Sequence, residues 1–122
     1  MKLSKFELEI MDLFWDAGEV SIREVLERLP EERRPAYTTV QTIVTRLEAK
    51  GALGRTRKAG NAYLYKPLVT RKSAYRRVID DVLRLFGGEA QPLVAHLLET
   101  RRLSLKDLRD LEEVATRQEK KR

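Results

Sequence analysis

The stretch "AYTTVQTIVTRLEAKG", Ala36 to Gly51, has the hydrophobic period of an amphipathic helix. At about 100° per residue, its large aliphatic side chains fall on one side and are predicted to face a core; they are Val40, Ile43, Val44 and Leu47. The opposite side carries mostly threonine, although 36% of the chain is Asp, Glu, Lys or Arg. A helix face that met only solvent would usually carry Glu and Lys, so this neutral face indicates another role.

Short side chains suit a helix that enters the major groove of DNA, because its backbone must approach the base edges closely. Hydroxyl and methyl groups at the centre of the face permit that approach, and Arg or Lys at its margins reaches phosphates. The alternative is an ordinary surface that tolerates threonine despite its low helix propensity. The outer face and its flanks consist of Thr38, Thr39, Gln41, Thr42, Thr45, Arg46, Ala49 and Lys50.

The net charge of +6 is concentrated in the middle of the chain. Residues 1–32 contain four Lys/Arg against nine Asp/Glu, residues 33–77 contain twelve against one, and residues 78–122 contain nine against nine. A basic block of this kind favours a polyanion such as nucleic acid, or an anionic membrane surface. A solvated basic face is the alternative.

Three helices are predicted in about the first fifty residues from capping boxes, in which Ser or Thr is followed three residues later by Glu or Gln. The pairs are Ser4 with Glu7, Ser21 with Glu24, and Thr38 with Gln41. Gly18 is predicted to end the first helix, and Pro30 follows the second. Three helices are therefore packed into about fifty residues.

A basic β-hairpin is predicted directly after Gly51. Its strands are "ALGRTRK" and "AYLYKP", and the "AGNA" between them provides Gly60 and Asn61 for positive φ at a tight turn. Alternation places Tyr63 and Tyr65 on one face, where one packs in the core and the other is available to a phosphate. The cations of the hairpin are Arg55, Arg57, Lys58 and Lys66. A basic ribbon after a recognition-type helix is the order of elements in a winged helix-turn-helix.

After Pro67 the sequence predicts three amphipathic helices, opened by Thr70, by a segment with Pro92 in its first turn, and by Ser104. They lack a globular core of their own, so a second copy of the chain is expected to cover them as a dimerisation arm. Folding back on the winged domain in a monomer is the alternative. The predicted dimer contacts are Tyr75, Val78, Ile79, Val82, Phe86, Leu97, Leu108 and Leu111.

The predicted fold class is mainly α with a small β-wing. Residues 1–68 are predicted to form a winged helix-turn-helix DNA-binding domain and residues 69–122 a C-terminal helical dimerisation domain. No apolar run approaches the roughly 18 residues of a membrane span, and the acidic, amphipathic start "MKLSKFELEIMD" is unlike a signal peptide. We therefore expect a cytoplasmic protein without membrane insertion.

Composition excludes most catalytic and metal-binding constellations. The chain has no cysteine and one histidine, which rules out a thiol nucleophile, a disulfide, and a cysteine or multi-histidine metal site. No cofactor, metal or catalytic residue is therefore expected. Two other classes stay open: a protein-protein adaptor built on a winged domain, and, more weakly, an enzyme that uses carboxylates alone.

The runs "LSKFELEIMDLFWDAGEVSIREVLERL", "YTTVQTIVTRLEAKGAL" and "RKAGNAYLYKP" resemble the penicillinase repressor family, the BlaI/MecI/CopY type of bacterial winged-helix repressor. The resemblance covers nearly the whole chain. It implies a homodimer that binds inverted-repeat operators in double-stranded DNA and blocks transcription until a stress or antibiotic signal releases it. By this resemblance the DNA-binding positions are Thr38, Thr39, Gln41, Thr42, Thr45 and Arg46 on the helix, and Arg55, Arg57, Lys58 and Tyr63 on the wing.

The signals used by the family differ among its branches, and this sequence departs from two of them. Copper-responsive members carry a cysteine cluster near the carboxy terminus, whereas this chain has no cysteine. Antibiotic-responsive members are cleaved in the dimerisation domain after a membrane-bound sensor protease detects a β-lactam. The corresponding stretch is "PLVAHLLET", so His96 and Leu97 stand near the position of an Asn-Phe pair, which makes this segment the candidate cleavage region.

Overall fold

The computed structural model describes residues 2–121, which contain six α-helices, one 3-10 turn and three strands. The elements are α1 Lys5–Ala17, β1 Val20–Ser21, α2 Ile22–Arg28, the 3-10 turn Glu31–Arg33, α3 Tyr37–Ala49, β2 Leu53–Ala59, β3 Ala62–Pro67, α4 Arg71–Leu85, α5 Ala90–Glu99 and α6 Leu105–Lys120. They divide into two compact units, Met1–Arg77 and Val78–Arg122. The assignment of residues 1–68 to DNA binding and of residues 69–122 to dimerisation stays a prediction.

The capping boxes that open α1 and α2 are confirmed. Glu7 accepts from the Ser4 backbone N–H at 2.7 Å while Ser4 Oγ accepts from the Glu7 N–H at 3.2 Å, and Ser21 with Glu24 repeats this exchange. These bonds satisfy amide groups that lack partners inside a helix. The serines therefore set where both helices begin.

The third capping box, Thr38 with Gln41, is wrong. Helix α3 begins at Tyr37, preceded by Ala36 in an extended conformation, and no side chain caps it. Thr38 thus lies inside the first turn, where its hydroxyl no longer stands ahead of the free amide groups. The predicted burial is confirmed, since Val40, Ile43, Val44 and Leu47 of α3 are all buried.

The sheet has the order β1-β3-β2 and is antiparallel throughout. The two-residue strand β1 was not predicted, because it is too short to show a period. Gly60 has a φ of 64°, as predicted, but Asn61 does not have positive φ, since Arg101 is the only such non-glycine residue within 2–121. A two-residue loop in which only the first residue, a glycine, has positive φ is typical of a type II′ turn. The second loop residue of that turn has negative φ.

The core of the first unit lies between α1, α2, α3 and the sheet. Phe14 is fully buried and meets Tyr65 edge to face, with 6.5 Å between ring centroids. The predicted core role of one hairpin tyrosine is therefore confirmed for Tyr65. Burial of each such side chain stabilises the fold by about 1.5–3 kcal/mol. This core holds α3 and the hairpin in place.

The helices α5 and α6 and the end of α4 make up the second unit. Ser104 opens α6 with a full capping box to Asp107, and Gly87 and Gly88 end α4 with positive φ, as the sequence predicts. No side chain of α4, α5 or α6 is fully buried among the described residues. None of the described helices is long and apolar enough to cross a membrane.

Candidate nucleic-acid interface

The outer face of α3 is open to solvent. All six residues that the sequence marks as DNA-contacting on this helix are exposed: Thr38, Thr39, Gln41, Thr42, Thr45 and Arg46. The core contacts on the opposite side of α3 are fully buried at Val40 and Leu47. The helix therefore exposes a face made mostly of short side chains, while its opposite side is packed into the core.

Two threonines of this face are held by the helix itself. Thr42 Oγ1 donates to the Thr38 carbonyl at 2.9 Å, and Thr45 Oγ1 donates to the Gln41 carbonyl at 3.0 Å. Because a hydroxyl has one hydrogen, these two groups offer outward a methyl and oxygen lone pairs. The amide of Gln41 adds both donor and acceptor capacity to this face.

A β-bulge in the hairpin decides which cations share a face. Arg55 lies opposite Tyr65 and Arg57 opposite Leu64, so Thr56 is the extra residue, and Lys58 lies opposite Tyr63. Directly opposed residues share a face of the sheet. Arg55 and Lys58 consequently lie on the face of the tyrosines and Arg57 lies on the other face. In an unbroken strand, Arg55 and Arg57 would lie on the same face.

Arg55 connects the wing to the recognition-type helix. Its guanidinium lies 4.2 Å from the Tyr63 ring centroid and 5.7 Å from that of Tyr65, and its Nη2 is 3.4 Å from Glu48 Oε1 on α3. Tyr65 and Glu48 raise the pKa of Arg55, so the group is a permanent cation. Lys58 Nζ lies 5.5 Å from the same Tyr63 centroid.

Arg57 pairs with an acid outside the basic block. Its Nε lies 2.9 Å from Glu19 Oε1, and the hydrogen bond from Arg57 is the main cause that lowers the pKa of Glu19. Both side chains are well exposed, so water and salt screen the pair. A phosphate can therefore compete with Glu19 for Arg57 at small energetic cost.

Lys50, which the sequence places at a flank of the outer face, is engaged in the fold. Its Nζ is 2.7 Å from Oε1 of the buried Glu7 and donates to the Lys2 carbonyl at 3.0 Å. Burial alone would raise the pKa of Glu7, but the Lys50 and Ser4 hydrogen bonds outweigh it and lower that pKa. Lys50 thus anchors the end of α3 to α1.

Sequence reasoning missed a cleft next to the outer face of α3. The cleft has a volume of about 360 Å³ and is lined by residues of α2, α3 and the hairpin, Gln41 and Tyr63 among them. Arg23 of α2 lies 5.3 Å from the Tyr37 ring centroid, and both residues line the cleft. The sequence contained little indication of this cleft, because Arg23 belongs to the acidic segment 1–32.

The predicted dimer contacts have varied surroundings. Tyr75 lies in the first unit, where its hydroxyl donates to Asp12 Oδ1 at 2.5 Å and its ring meets Trp15 edge to face at 5.8 Å. The other seven belong to the second unit. Val78, Ile79 and Leu111 are exposed, while the remainder are half-buried: Val82, Phe86, Leu97 and Leu108.

The candidate cleavage residues lie inside a helix. His96 and Leu97 belong to α5, which runs from Ala90 to Glu99. His96 is exposed, and its ring lies 5.8 Å from that of Phe86. Within residues 2–121, no group of three or more His, Cys, Asp or Glu side chains could hold a metal ion.

Three helices, a hairpin with basic residues and an exposed recognition-type face define this chain as a winged helix-turn-helix protein of the DNA-binding class. The solution structure of the DNA-binding domain of the repressor BlaI matches it with a TM-score of 0.50 at 32% identity. That match covers 58% of this chain and 90% of the BlaI domain. The predicted fold class is therefore confirmed.

Sequence comparison extends the likeness to most of the chain. The penicillinase repressor family matches residues 3–117, so this chain belongs to that family. It is 27% identical over 114 residues to a penicillinase repressor of Bacillus licheniformis, covering 93% of this chain and 88% of that protein. It is 25% identical over 114 residues to the methicillin resistance regulatory protein MecI of Mammaliicoccus sciuri, covering 93% and 92%. The family consists of repressors rather than enzymes.

Proposed function

We propose that this chain is a sequence-specific DNA-binding transcriptional repressor whose α3 reads the major groove. The exposed threonine face of α3 carries this proposal, because it is flanked by Arg46 and followed by a basic hairpin. Short side chains allow close approach to base edges, and the cations supply contacts to phosphates. The proposed wing contacts are the cations Arg55, Arg57 and Lys58, with the ring of Tyr63 beside Arg55. Arg23 and Tyr37 line the adjacent cleft.

The proposed active form is a homodimer on an inverted repeat. The unpartnered apolar side chains of the helical arm support it, since Ile79 is 54% exposed and Leu111 is 50% exposed. A second copy of the arm would cover both, because identical surfaces related by a two-fold axis bury the same residues twice. Two recognition helices about 34 Å apart then meet successive major grooves, so the operator is a pseudo-palindrome.

The proposed site of action is the cytoplasm, and the proposed release is cleavage in the α5 segment. A membrane-bound sensor protease is the partner that this route requires. Because His96 and Leu97 lie within a helix, a protease that needs an extended strand can act only after local unwinding of α5. Mass spectrometry of the chain after induction would locate a cut; an intact chain in induced, derepressed cells would contradict this route.

The test of the proposed function is selection of bound duplexes from a random DNA pool by the full chain at near-physiological salt. An enriched inverted repeat, bound by two chains, is the expected result. Recovery of unrelated sequences with salt-labile binding alone would contradict sequence-specific repression. In that case the winged domain would act as a protein-protein adaptor, whose α3 face contacts a protein.

A further inference from the structure

We propose that Tyr63 is a positioning residue, whose ring orients Arg55 toward a single backbone phosphate of the operator, and that its hydroxyl does not contact DNA. This inference rests on the proposed repressor function and assigns a specific role to one wing residue. It differs from the sequence expectation, in which the exposed hairpin tyrosine contacts a phosphate itself.

The ring of Tyr63 supports the guanidinium at close range. The 4.2 Å distance from Arg55 Cζ to the ring centroid is within the range of a cation–π contact, and the ring is anchored on a strand. Tyr65 is only 5% exposed and lies directly opposite Arg55 on the neighbouring strand, so Arg55 starts from a well-packed part of the hairpin. Glu48 on α3 holds the Nη2 end at 3.4 Å.

Arg55 keeps donors available despite these contacts. Its side chain is 47% exposed, and a guanidinium carries five N–H donors in a planar fork, so one edge can bind a phosphate while the face rests on the ring. A cation that is already ordered loses less conformational freedom on binding than one that must be ordered by the phosphate. The ring therefore contributes to affinity without adding a charge.

If Arg55 contacts the phosphate and Tyr63 only orients Arg55, replacing the two residues should change the salt dependence of operator binding differently. Each phosphate neutralised by a cation contributes about −0.9 to the slope of log K against log salt concentration. Replacing Arg55 removes one such contact and flattens the slope, whereas replacing Tyr63 leaves the number of cations unchanged. Loss of the ring should then lower affinity equally at every salt concentration.

The experiment measures binding of the selected operator duplex by the full chain across a range of salt concentrations. We expect Tyr63→Leu to weaken binding about two- to fivefold, which corresponds to a cation–π contribution of about 0.5–1 kcal/mol, with an unchanged slope. Tyr63→Phe keeps the ring and is the matched control, so it should bind like the wild type. Arg55→Gln should flatten the slope by about 0.9.

The combined variant tests whether the two residues act together. If Tyr63 acts through Arg55, Tyr63→Leu added to Arg55→Gln should weaken binding less than twofold further, because the coupled effect has already been lost. Arg55→Lys tests the same coupling without changing the tyrosine: it keeps the charge, loses the planar fork, and should match Tyr63→Leu in both affinity and slope. Thermal unfolding of each variant confirms that the hairpin is folded.

Four results would overturn the inference. Equal losses in Tyr63→Phe and Tyr63→Leu would show that the hydroxyl contacts DNA. A flatter slope in Tyr63→Leu would show that loss of the ring also removes a phosphate contact. A full additional loss in the Arg55→Gln background would show that the ring acts independently of Arg55. If the wild type has no preferred duplex, the proposed repressor function fails and this inference fails with it; that result is seen before any variant is compared.

Discussion

Lys50→Met should destabilise the first unit, because it leaves the Glu7 carboxylate buried without its cation. The Glu7 side chain is 5% exposed, and its Oε2 has no hydrogen-bond partner in the described structure. In the variant only Ser4 still bonds to the carboxylate. The ammonium of Lys50 is therefore the main compensation for the desolvation of Glu7.

The size of the effect follows from the unequal burial of the two partners. Removing one member of a fully buried pair costs about 3–5 kcal/mol. Lys50 is itself 36% exposed, so water screens the pair from one side and reduces the expected loss to about 1–3 kcal/mol in the free energy of unfolding. For a unit of this size that loss corresponds to a decrease in Tm of roughly 5–15 °C.

The assay is urea unfolding followed by the fluorescence of Trp15, the only tryptophan of the chain. Its indole Nε1 donates to the Val69 carbonyl at 2.9 Å, so the emission reports on the first unit. Glu19→Gln is the matched control, because it breaks the exposed pair with Arg57 and should leave the stability nearly unchanged. Equal, small losses in Lys50→Met and the control would refute the reasoning.

The dependence on pH provides a second check of the same pair. The folded-state pKa of Glu7 is lowered from its ordinary value near 4.5, so the pair stabilises the fold fully above that value. The contribution is lost as pH falls through the folded-state pKa. The stability difference between wild type and Lys50→Met should therefore be largest near neutral pH and shrink as the solution is acidified. A difference that grew on acidification would have the wrong sign.

Three further predictions concern the recognition surface, the arm and the core. Gln41→Ala or Thr42→Ala should change base preference by about 1–3 kcal/mol per good contact in duplex selection, and an unchanged motif would remove these residues from base readout. Val82→Asp should abolish operator binding and dimer formation in sedimentation while the Trp15 unfolding transition persists; a monomer with full affinity would contradict the dimer proposal. Phe14→Ala should reduce the free energy of unfolding by about 3–5 kcal/mol in urea, and a loss below 1 kcal/mol would show that the core around this ring collapses to fill the space.

Helix positions were predictable where a local signal specified them. Ser4 and Ser21 begin their helices as the capping boxes predict, since both partners lie within one turn. The Thr38 box failed because two starts two residues apart satisfy the same hydrophobic pattern, and the helix begins at Tyr37. Strand β1 escaped prediction because its two residues are ordered only by pairing with β3.

The sequence predicted which residues of the candidate interface are exposed, but not which of them contact one another. Period alone placed Thr38, Thr42 and Thr45 on the outer side of α3, where the structure has them. Sequence did not reveal that Lys50 turns inward to Glu7, because the two are 43 positions apart. It also missed Arg23, whose proximity to Tyr37 depends on how α2 packs beside α3.

The sequence by itself determined the main helices, the hairpin and the buried side of α3, because these depend on local period and on capping and turn signals. Its quoted motifs carried the resemblance to the family. Only the tertiary structure decided which wing cations act together. The bulge at Thr56 shifts the alternation of β2, so Arg55 and Lys58 share the face of Tyr63 while Arg57 meets Glu19. An extra residue in one strand is defined by its pairing with the other strand, and that pairing exists only in the folded hairpin.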